Sequence, residues 1–198
     1  DKRNGKTVWR NNRDVDYKSD NGDIKKAYGT ARVITFKGRT QVIVPGAMAT
    51  MAYEPKTGKE LWRVIHGGMN ACIPPLFSHG KVYITTSSPS KLVAVRPDGN
   101  GDITKSHVAW STRQGVPARP AQLLVEDSMF MVDNSGVASC IDITTGKARW
   151  TKRIAGKFTA SPVLVGDRIF CFERETGKSH VFAANPKKYT ALATNTLD

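Results

Sequence analysis

Cys140–Trp150 reads as a strand, a tight turn and a second strand. It carries an acid, then Thr-Gly-Lys, then a Trp three residues after the Lys: Asp142, Thr145, Gly146, Lys147 and Trp150. The pattern recurs as Glu54, Thr57, Gly58, Lys59 and Trp62, and again as Asp1, Asn4, Gly5, Lys6 and Trp9. Each copy predicts a β-hairpin. The glycine accepts the positive φ of a tight turn, and the acid bonds N–H groups within it. The Trp opens the next strand, where its ring can bury against a neighbouring sheet. With Trp110 included, the tryptophans lie 53, 48 and 40 residues apart. Four-stranded propeller blades repeat at roughly 40–50 residues.

The intervals hold β-forming runs of four to eight residues and no helical stripe. They divide into a trailing strand at residues 1–11 and four units of four strands at 30–65, 73–112, 119–153 and 158–194. Short turns separate the first two strands of a unit, such as Lys37-Gly38-Arg39, Ser78-His79-Gly80 and Gly166-Asp167. The fourth unit has no Trp, and its last turn reads Asn185-Pro186-Lys187-Lys188. A sheet of this size is marginal alone, so the units must stack. The expected fold class is all-β: a β-propeller fragment of about four four-stranded antiparallel blades. A β-sandwich does not produce the fixed acid–Gly–Lys–Trp spacing.

The motif resembles the repeat of the pyrroloquinoline-quinone-type (PQQ-like) β-propeller family, Asp-x-x-Thr-Gly-x-x-x-Trp, at Asp142, Thr145, Gly146 and Trp150 and at Glu54, Thr57, Gly58 and Trp62. Val95–Trp110 and Ala138–Asp142 are similar to a planctomycete branch of it. The resemblance covers essentially the whole chain. It implies a closed ring of seven or eight blades, of which this chain is about half. It implies a periplasmic or otherwise extracytoplasmic location. It implies one of three roles: a scaffold like the outer-membrane assembly lipoprotein, a sensor propeller of a Ser/Thr receptor kinase, or part of a PQQ-dependent alcohol or sugar dehydrogenase with PQQ and Ca²⁺ as cofactors. The dehydrogenases use an Asp base and often adjacent cysteines, and this sequence has no Cys-Cys pair. Asp1 falls inside a motif with no Met before it, which reads as an excised piece. Open flanks of such a piece are expected to attract a partner, a second copy included.

The balance of 30 Lys+Arg against 17 Asp+Glu gives a net charge of +13, which favours anionic partners. The basic residues are spread along the chain and no nucleic-acid motif accompanies them, so nucleic acid is not the expected partner. Four loops between units each hold a Gly and a cationic or potentially cationic side chain. From them come the candidate ligand residues Lys26, Tyr28, His66, Asn70, Arg119 and Lys157, which could together line the mouth of a channel for an anion. No acid lies in these loops. Asp98, Asn100, Asp102 and Thr104 alternate oxygen ligands as in half a calcium loop, although Ile103 and Ala109 break the EF-hand pattern. The alternative is a plain turn capped by Asp102. Cys72, Cys140 and Cys171 are widely spaced. Cys140 and Cys171 fall on neighbouring sheets, where either a disulfide or simple burial fits. His79 and His180 are expected to face solvent. No catalytic residue emerges. The sequence favours a binding or scaffold module, engaging a protein or an anionic ligand, over an enzyme.

Overall fold

The computed structural model describes residues 1–196. The first sheet is β1 (Arg32–Phe36), β2 (Arg39–Val44), β3 (Ala49–Tyr53) and β4 (Glu60–Ile65), antiparallel in that order. The second begins with β5 (Leu76–Ser78), β6 (Lys81–Ser87) and β7 (Ser90–Val95). The short β8 (Gly101–Asp102) leaves it to pair parallel with β4, and β9 (Val108–Thr112) completes it. β10 (Leu123–Val125), β11 (Ser128–Val132), β12 (Val137–Asp142) and β13 (Ala148–Arg153) form the third sheet. The fourth is β14 (Val163–Val165), β15 (Arg168–Phe172), β16 (Lys178–Ala183) and β17 (Ala191–Thr196). The molecule is therefore nearly all-β and built from four-stranded sheets of propeller-blade type, as expected. One single-turn 3-10 helix, Gly22–Lys25, precedes them.

Two local devices make the sheets alike. First, a two-residue turn joins strands one and two of every sheet, and its first residue has positive φ: Lys37 (50°), His79 (48°), Glu126 (52°) and Gly166 (59°). Such turns match the right-handed twist of the flanking strands. Second, the register slips by a bulge between strands three and four, at Ala52/Tyr53, Cys140/Ile141 and Val181/Phe182. A bulge adds twist and bends the strand. In the first and third sheets it falls immediately before the acid of the turn motif.

The chain divides into two compact units. One is Asp1–Pro89 with Val93–Ala109; the other is Ser90–Leu92 with Trp110 onward. The core of the first unit gathers Ile34, Ile43, Trp62, Val64, Val82, Ile84, Val93 and Ile103. A smaller cluster places Trp9 and Val15 over Ala49, Met51 and Tyr53. The core of the second unit gathers Phe130, Val132, Cys140, Phe158, Ile169, Cys171 and Phe182, with Trp150 and Tyr189 against them.

Three expectations are corrected. Residues 1–11 form a turn and then a segment without regular structure, where a trailing strand was expected. A strand needs a partner ladder for its N–H and C=O groups, and among the described residues none pairs with this segment. The first sheet carries a fifth strand, β8, supplied by the stretch read as a calcium-type loop or turn. His180 is enclosed instead of facing solvent, for reasons given below. All three cysteines are free thiols. Burial pushes Cys140 up to about 11 and Cys171 up to about 12, so both stay protonated and unreactive.

Candidate functional site

The turn motif shows its chemistry in full at Asp142. Its Oδ1 accepts the N–H groups of Thr144 and Thr145, each at 2.9 Å, and the Thr145 hydroxyl. The Gly146 N–H donates to the Asp142 carbonyl at 2.8 Å, and the Thr145 hydroxyl oxygen accepts the Lys147 N–H. The Glu54 turn repeats this with Thr57 and Gly58, and at Asp1 the side chain of Asn4 replaces the Thr. Arg149 bridges Asp127 and Asp142 at 2.8 and 2.7 Å. That guanidinium, with the turn N–H groups, holds the Asp142 carboxyl down at about 2.

The glycine has a second duty. A Cβ on Gly58 would meet the Trp9 ring at 2.5 Å, and one on Gly146 would meet Trp110 at 2.5 Å. Trp9 and Trp110 thus pack against the motif glycine of the following repeat. The indole N–H of three tryptophans donates to a carbonyl of the following turn: Trp9 to Pro55 at 2.8 Å, Trp110 to Ile143 at 3.1 Å, and Trp150, whose turn has no glycine, to Asn185 at 2.9 Å. Trp62 follows a different route. It donates to Gln41 Oε1 at 2.6 Å, and Gln41 Nε2 donates to the Pro97 carbonyl at 2.9 Å, so the amide extends its reach. The motif is a fastening between successive repeats.

Within the first unit, three of the expected ligand residues come together. The N–H groups of Tyr28 and Gly29 donate to the Ala71 carbonyl, and the Asn70 N–H donates to the Lys26 carbonyl at 3.1 Å. Tyr28 is 63% exposed, while the Lys26 ammonium is held by Asp23 at 2.5 Å. His66 is buried instead. Its Nδ1 accepts the Gly68 N–H at 3.2 Å, which leaves the proton on Nε2, facing the Thr50 hydroxyl at 3.3 Å. It fastens its own turn.

Within the second unit, Asn134 ties the loop of Arg119 to the loop of Lys157. Its Oδ1 accepts the Ala118 N–H at 2.8 Å, and its Nδ2 donates to the Phe158 carbonyl at 3.0 Å. Arg119 is exposed, and Lys157 pairs with Glu175 at 3.3 Å. The two lysines thus meet acids from neighbouring segments that the loops themselves lack.

The alternating stretch 98–104 is a strap. Asp98 pairs with Lys37 at 2.6 Å and lies 3.8 Å from His107. Asp102 Oδ1 accepts both the N–H and the hydroxyl of Thr104. The Thr104 Oγ1 in turn accepts the Ile65 N–H at 2.8 Å, and the Ile103 N–H donates to the Arg63 carbonyl. Asp98 and Asp102 therefore serve separate contacts, and the stretch closes the free edge of β4. No group of three or more His, Cys, Asp or Glu side chains is placed to hold a metal ion among the described residues.

The sequence reading missed one pair. Glu173 and His180 bond at 2.6 Å, with side chains only 6% and 13% exposed. Glu173 also accepts the Thr176 hydroxyl, and Phe158 packs edge-on against the imidazole. The Thr176 hydroxyl first, then His180, holds the Glu173 carboxyl below the usual range. The signal was legible: Glu173, Thr176, Gly177 and Lys178 spell the turn motif again, with Val181 where the Trp would stand. This copy sits between strands two and three, one hairpin earlier than the others.

The crystal structure of BamB from Moraxella catarrhalis superposes with a TM-score of 0.62 at 17% identity, covering 85% of this chain and 51% of that one. The quinohemoprotein alcohol dehydrogenase from Comamonas testosteroni superposes at 0.59 with 10% identity, covering 87% and 35%. At these identities the likeness is one of fold. The chain spans about half the length of the BamB structure and about a third of the dehydrogenase. No curated protein matches the sequence. The family model described as outer membrane protein assembly factor BamB matches residues 1–134 and 108–192, and the chain belongs to that family.

Proposed function

We propose that this chain is a binding or scaffold module of an extracytoplasmic propeller protein, without a reaction of its own, and that it engages a protein. The observation that carries this reading is the use made of its carboxylates. Asp142 and Glu54 hold turns, Asp102 holds the strap, Asp98 holds Lys37, and Asp23 and Glu175 hold the two loop lysines. A quinoprotein site asks for a carboxylate base and a cluster of oxygen ligands. The donor set present does not fit a Ca²⁺–quinone pair. Family membership and the blade fold are consistent with a scaffold but do not decide the role. No helix among the described residues is long and apolar enough to cross a membrane, which says nothing of strands.

The dehydrogenase reading keeps one observation in its favour, the enclosed Glu173–His180 pair, an acid–base couple beside an aromatic wall. One experiment separates the two. Calorimetric titration of pyrroloquinoline quinone into the protein, with and without Ca²⁺, runs beside photo-crosslinking from Tyr28, Ile65 and Arg119 in cells. The scaffold reading expects discrete protein adducts and no heat at high micromolar quinone. Tight Ca²⁺-dependent binding, lost in Glu173→Gln and accompanied by alcohol-driven dye reduction, overturns it. An anionic ligand in place of a protein would appear as salt-sensitive binding of a polyanion at Arg119 with no crosslink.

A further inference from the structure

The Trp9 contact joins the first two copies of the turn motif. The indole N–H reaches the Pro55 carbonyl, the ring packs against Gly58, and Asn11 Nδ2 donates to the Gly58 carbonyl. Residues 1–10 and 54–59 therefore adjoin on the surface of the first unit. The sequence spreads its basic residues along the chain, and the fold gathers six of them here: Lys2, Arg3, Lys6, Arg10, Lys56 and Lys59, every one exposed. Val8, between Lys6 and Arg10 in the chain, is 63% exposed.

The acids of this surface do not cancel it. Its two carboxylates are Asp1 and Glu54. Asp1 pairs with Arg3 at 2.6 Å. Glu54 Oε2 accepts the Thr57 N–H at 2.6 Å, and the charge of Lys56 helps to keep that carboxylate ionised. Further out the charges balance, since Glu60 pairs with Arg63, and Arg13 and Asp14 are consecutive. Six cations against two carboxylates leave the two turns with a net charge of +4. Among the described residues, Lys2, Lys6, Arg10, Lys56 and Lys59 enter no ion pair.

We propose that this surface docks an acidic segment of a partner protein, which sets carboxylates against Lys6, Arg10, Lys56 and Lys59 and an apolar side chain against Val8. The proposal rests on the scaffold reading above and names its site and the charge of its partner. Charge complementarity selects the occupant. Like charges gathered on one surface repel, and a partner carrying carboxylates removes that repulsion and is steered to the site. Apolar contact inside a charged rim is the anatomy of a protein interface, and Val8 supplies it. The cations stand on turns whose backbone is already fixed by Asn4, Glu54 and Thr57, so little order is lost on binding. Exposed ion pairs are individually weak, and the site therefore works as a set.

The test is fluorescence anisotropy of a labelled Glu-Glu-Leu-Glu-Glu peptide, run beside its basic counterpart Lys-Lys-Leu-Lys-Lys and beside vesicles of phosphatidylglycerol and phosphatidylcholine in equal parts. The acidic peptide is expected to bind, and to weaken as salt screens the exposed charges. The combined variant Lys6→Glu, Arg10→Glu, Lys56→Glu and Lys59→Glu should weaken it at least about tenfold, as exposed pairs turn repulsive. That variant should bind the basic peptide instead, a swap that simple misfolding does not produce. A second variant makes the same change of charge in the second unit: Lys147→Glu, Lys152→Glu, Lys187→Glu and Lys188→Glu. It should alter the acidic peptide's affinity by less than about twofold, because exposed charges act locally in salt. Equal loss in the two variants assigns binding to overall charge and overturns the site. So does no binding of the acidic peptide, or the absence of the swap. Vesicle binding that the first variant loses, with the peptide ignored, assigns the surface to a membrane and overturns the proposal too. Crosslinking separates these failures from that of the scaffold reading. If Tyr28 forms adducts and Val8 forms none, the scaffold stands and the site is wrong; if the unaltered protein forms none from any position, the scaffold reading itself fails.

Discussion

The first and last sheets are built by the same rules, and they bury very different surfaces. In the first, all five residues of β3 are buried, Trp62 on β4 is 0% exposed, and β8 covers the outer edge. In the last, β14 and β17 are exposed along their whole length. Register places Ala193 opposite Val181, immediately before the bulge, where Trp62 stands opposite Ala52 and Trp150 opposite Cys140. Turn chemistry and strand pairing are therefore shared, and they suffice to make the sheet. Burial comes from what is added to the fourth strand: the Trp, the Gln41 amide that relays it to Pro97 in the next repeat, and the strap.

The largest break in this comparison is Trp62→Ala. The ring lies at the centre of the first unit's core and satisfies Gln41. Its loss is expected to cost about 4 kcal/mol, read as a shift in the urea midpoint. The equivalent truncation in the last sheet, Leu192→Ala, is expected to cost less than about 0.5 kcal/mol. Similar costs at the two sites would mean that the last sheet's outer strand is covered, and the contrast would fail.

A smaller effect tests the motif glycine. At Gly146 an alanine faces both φ +73° and a Trp110 ring 2.5 Å from its Cβ. At Gly166, with φ +59°, the Cβ would meet nothing within 4 Å. Backbone strain alone costs about 1–2 kcal/mol for a side chain in the left-handed region. Gly166→Ala is expected near that figure, and Gly146→Ala about 1 kcal/mol or more above it, since the ring must move. Equal costs in thermal melts would show that the Trp gives way freely.

How much of this was legible follows from range. The acid–Thr–Gly turn is local chemistry within five residues, and so the sequence disclosed it at Glu54 and Asp142. The two-residue turns after β1, β5 and β14 were equally plain. What escaped depended on distant partners. Asp102 and Thr104 read as ligands because their use, capping Ile65 some forty residues earlier, leaves no mark in the local spacing. Gln41 gave no sign that it would relay Trp62 to Pro97. Glu173 was missed because the motif had been tied to a following Trp. The loop cations Lys26 and Lys157 looked free because their acids, Asp23 and Glu175, lie outside the loops that carry them.

Acid should distinguish the third sheet from the first. Arg149 is the leading cause that holds Asp142 at about 2, followed by the Thr145 N–H. A depressed carboxylate stabilises the fold above its unfolded value and loses that contribution as pH falls through its folded value. The loss from this turn therefore falls between about pH 4, the ordinary Asp range, and about 2. Glu54, whose pKa is lowered through Thr57 without an arginine, shares the sign. Urea midpoints at pH 5 and 3 should converge more in Asp142→Asn than in Glu54→Gln. An unchanged acid slope in Asp142→Asn would remove the Arg149 bridge from the account.

The strap offers a milder test, because Thr104→Val deletes one hydroxyl and keeps the shape. The Ile65 N–H loses its acceptor, and Asp102 loses a donor. The expected cost is about 1 kcal/mol, the usual worth of a partly exposed hydrogen bond. Hydrogen exchange at the Ile65 amide should quicken, with Val64 unaffected. Quickening along the whole of β4 would mean that the strap holds the strand and not merely its end.

The smallest expected effect is at Val165, which is 58% exposed on β14 beside Leu164 at 36%. Replacing it with Thr keeps the β-branch and the strand propensity and changes only polarity. If β14 faces water in the protein as it works, stability should move by less than about 0.5 kcal/mol. The same substitution at Val64, buried on β4, places a hydroxyl in an apolar core and should cost about 1–3 kcal/mol. The pair isolates burial from chemistry, because the side chain and the change are identical. A cost at Val165 that approaches the cost at Val64 would mean that another surface covers β14 in solution. Sedimentation at rising concentration would then identify it: a mass that doubles for the unaltered chain and not for Val165→Thr assigns the cover to a second copy, and an unchanging mass assigns it to this chain itself.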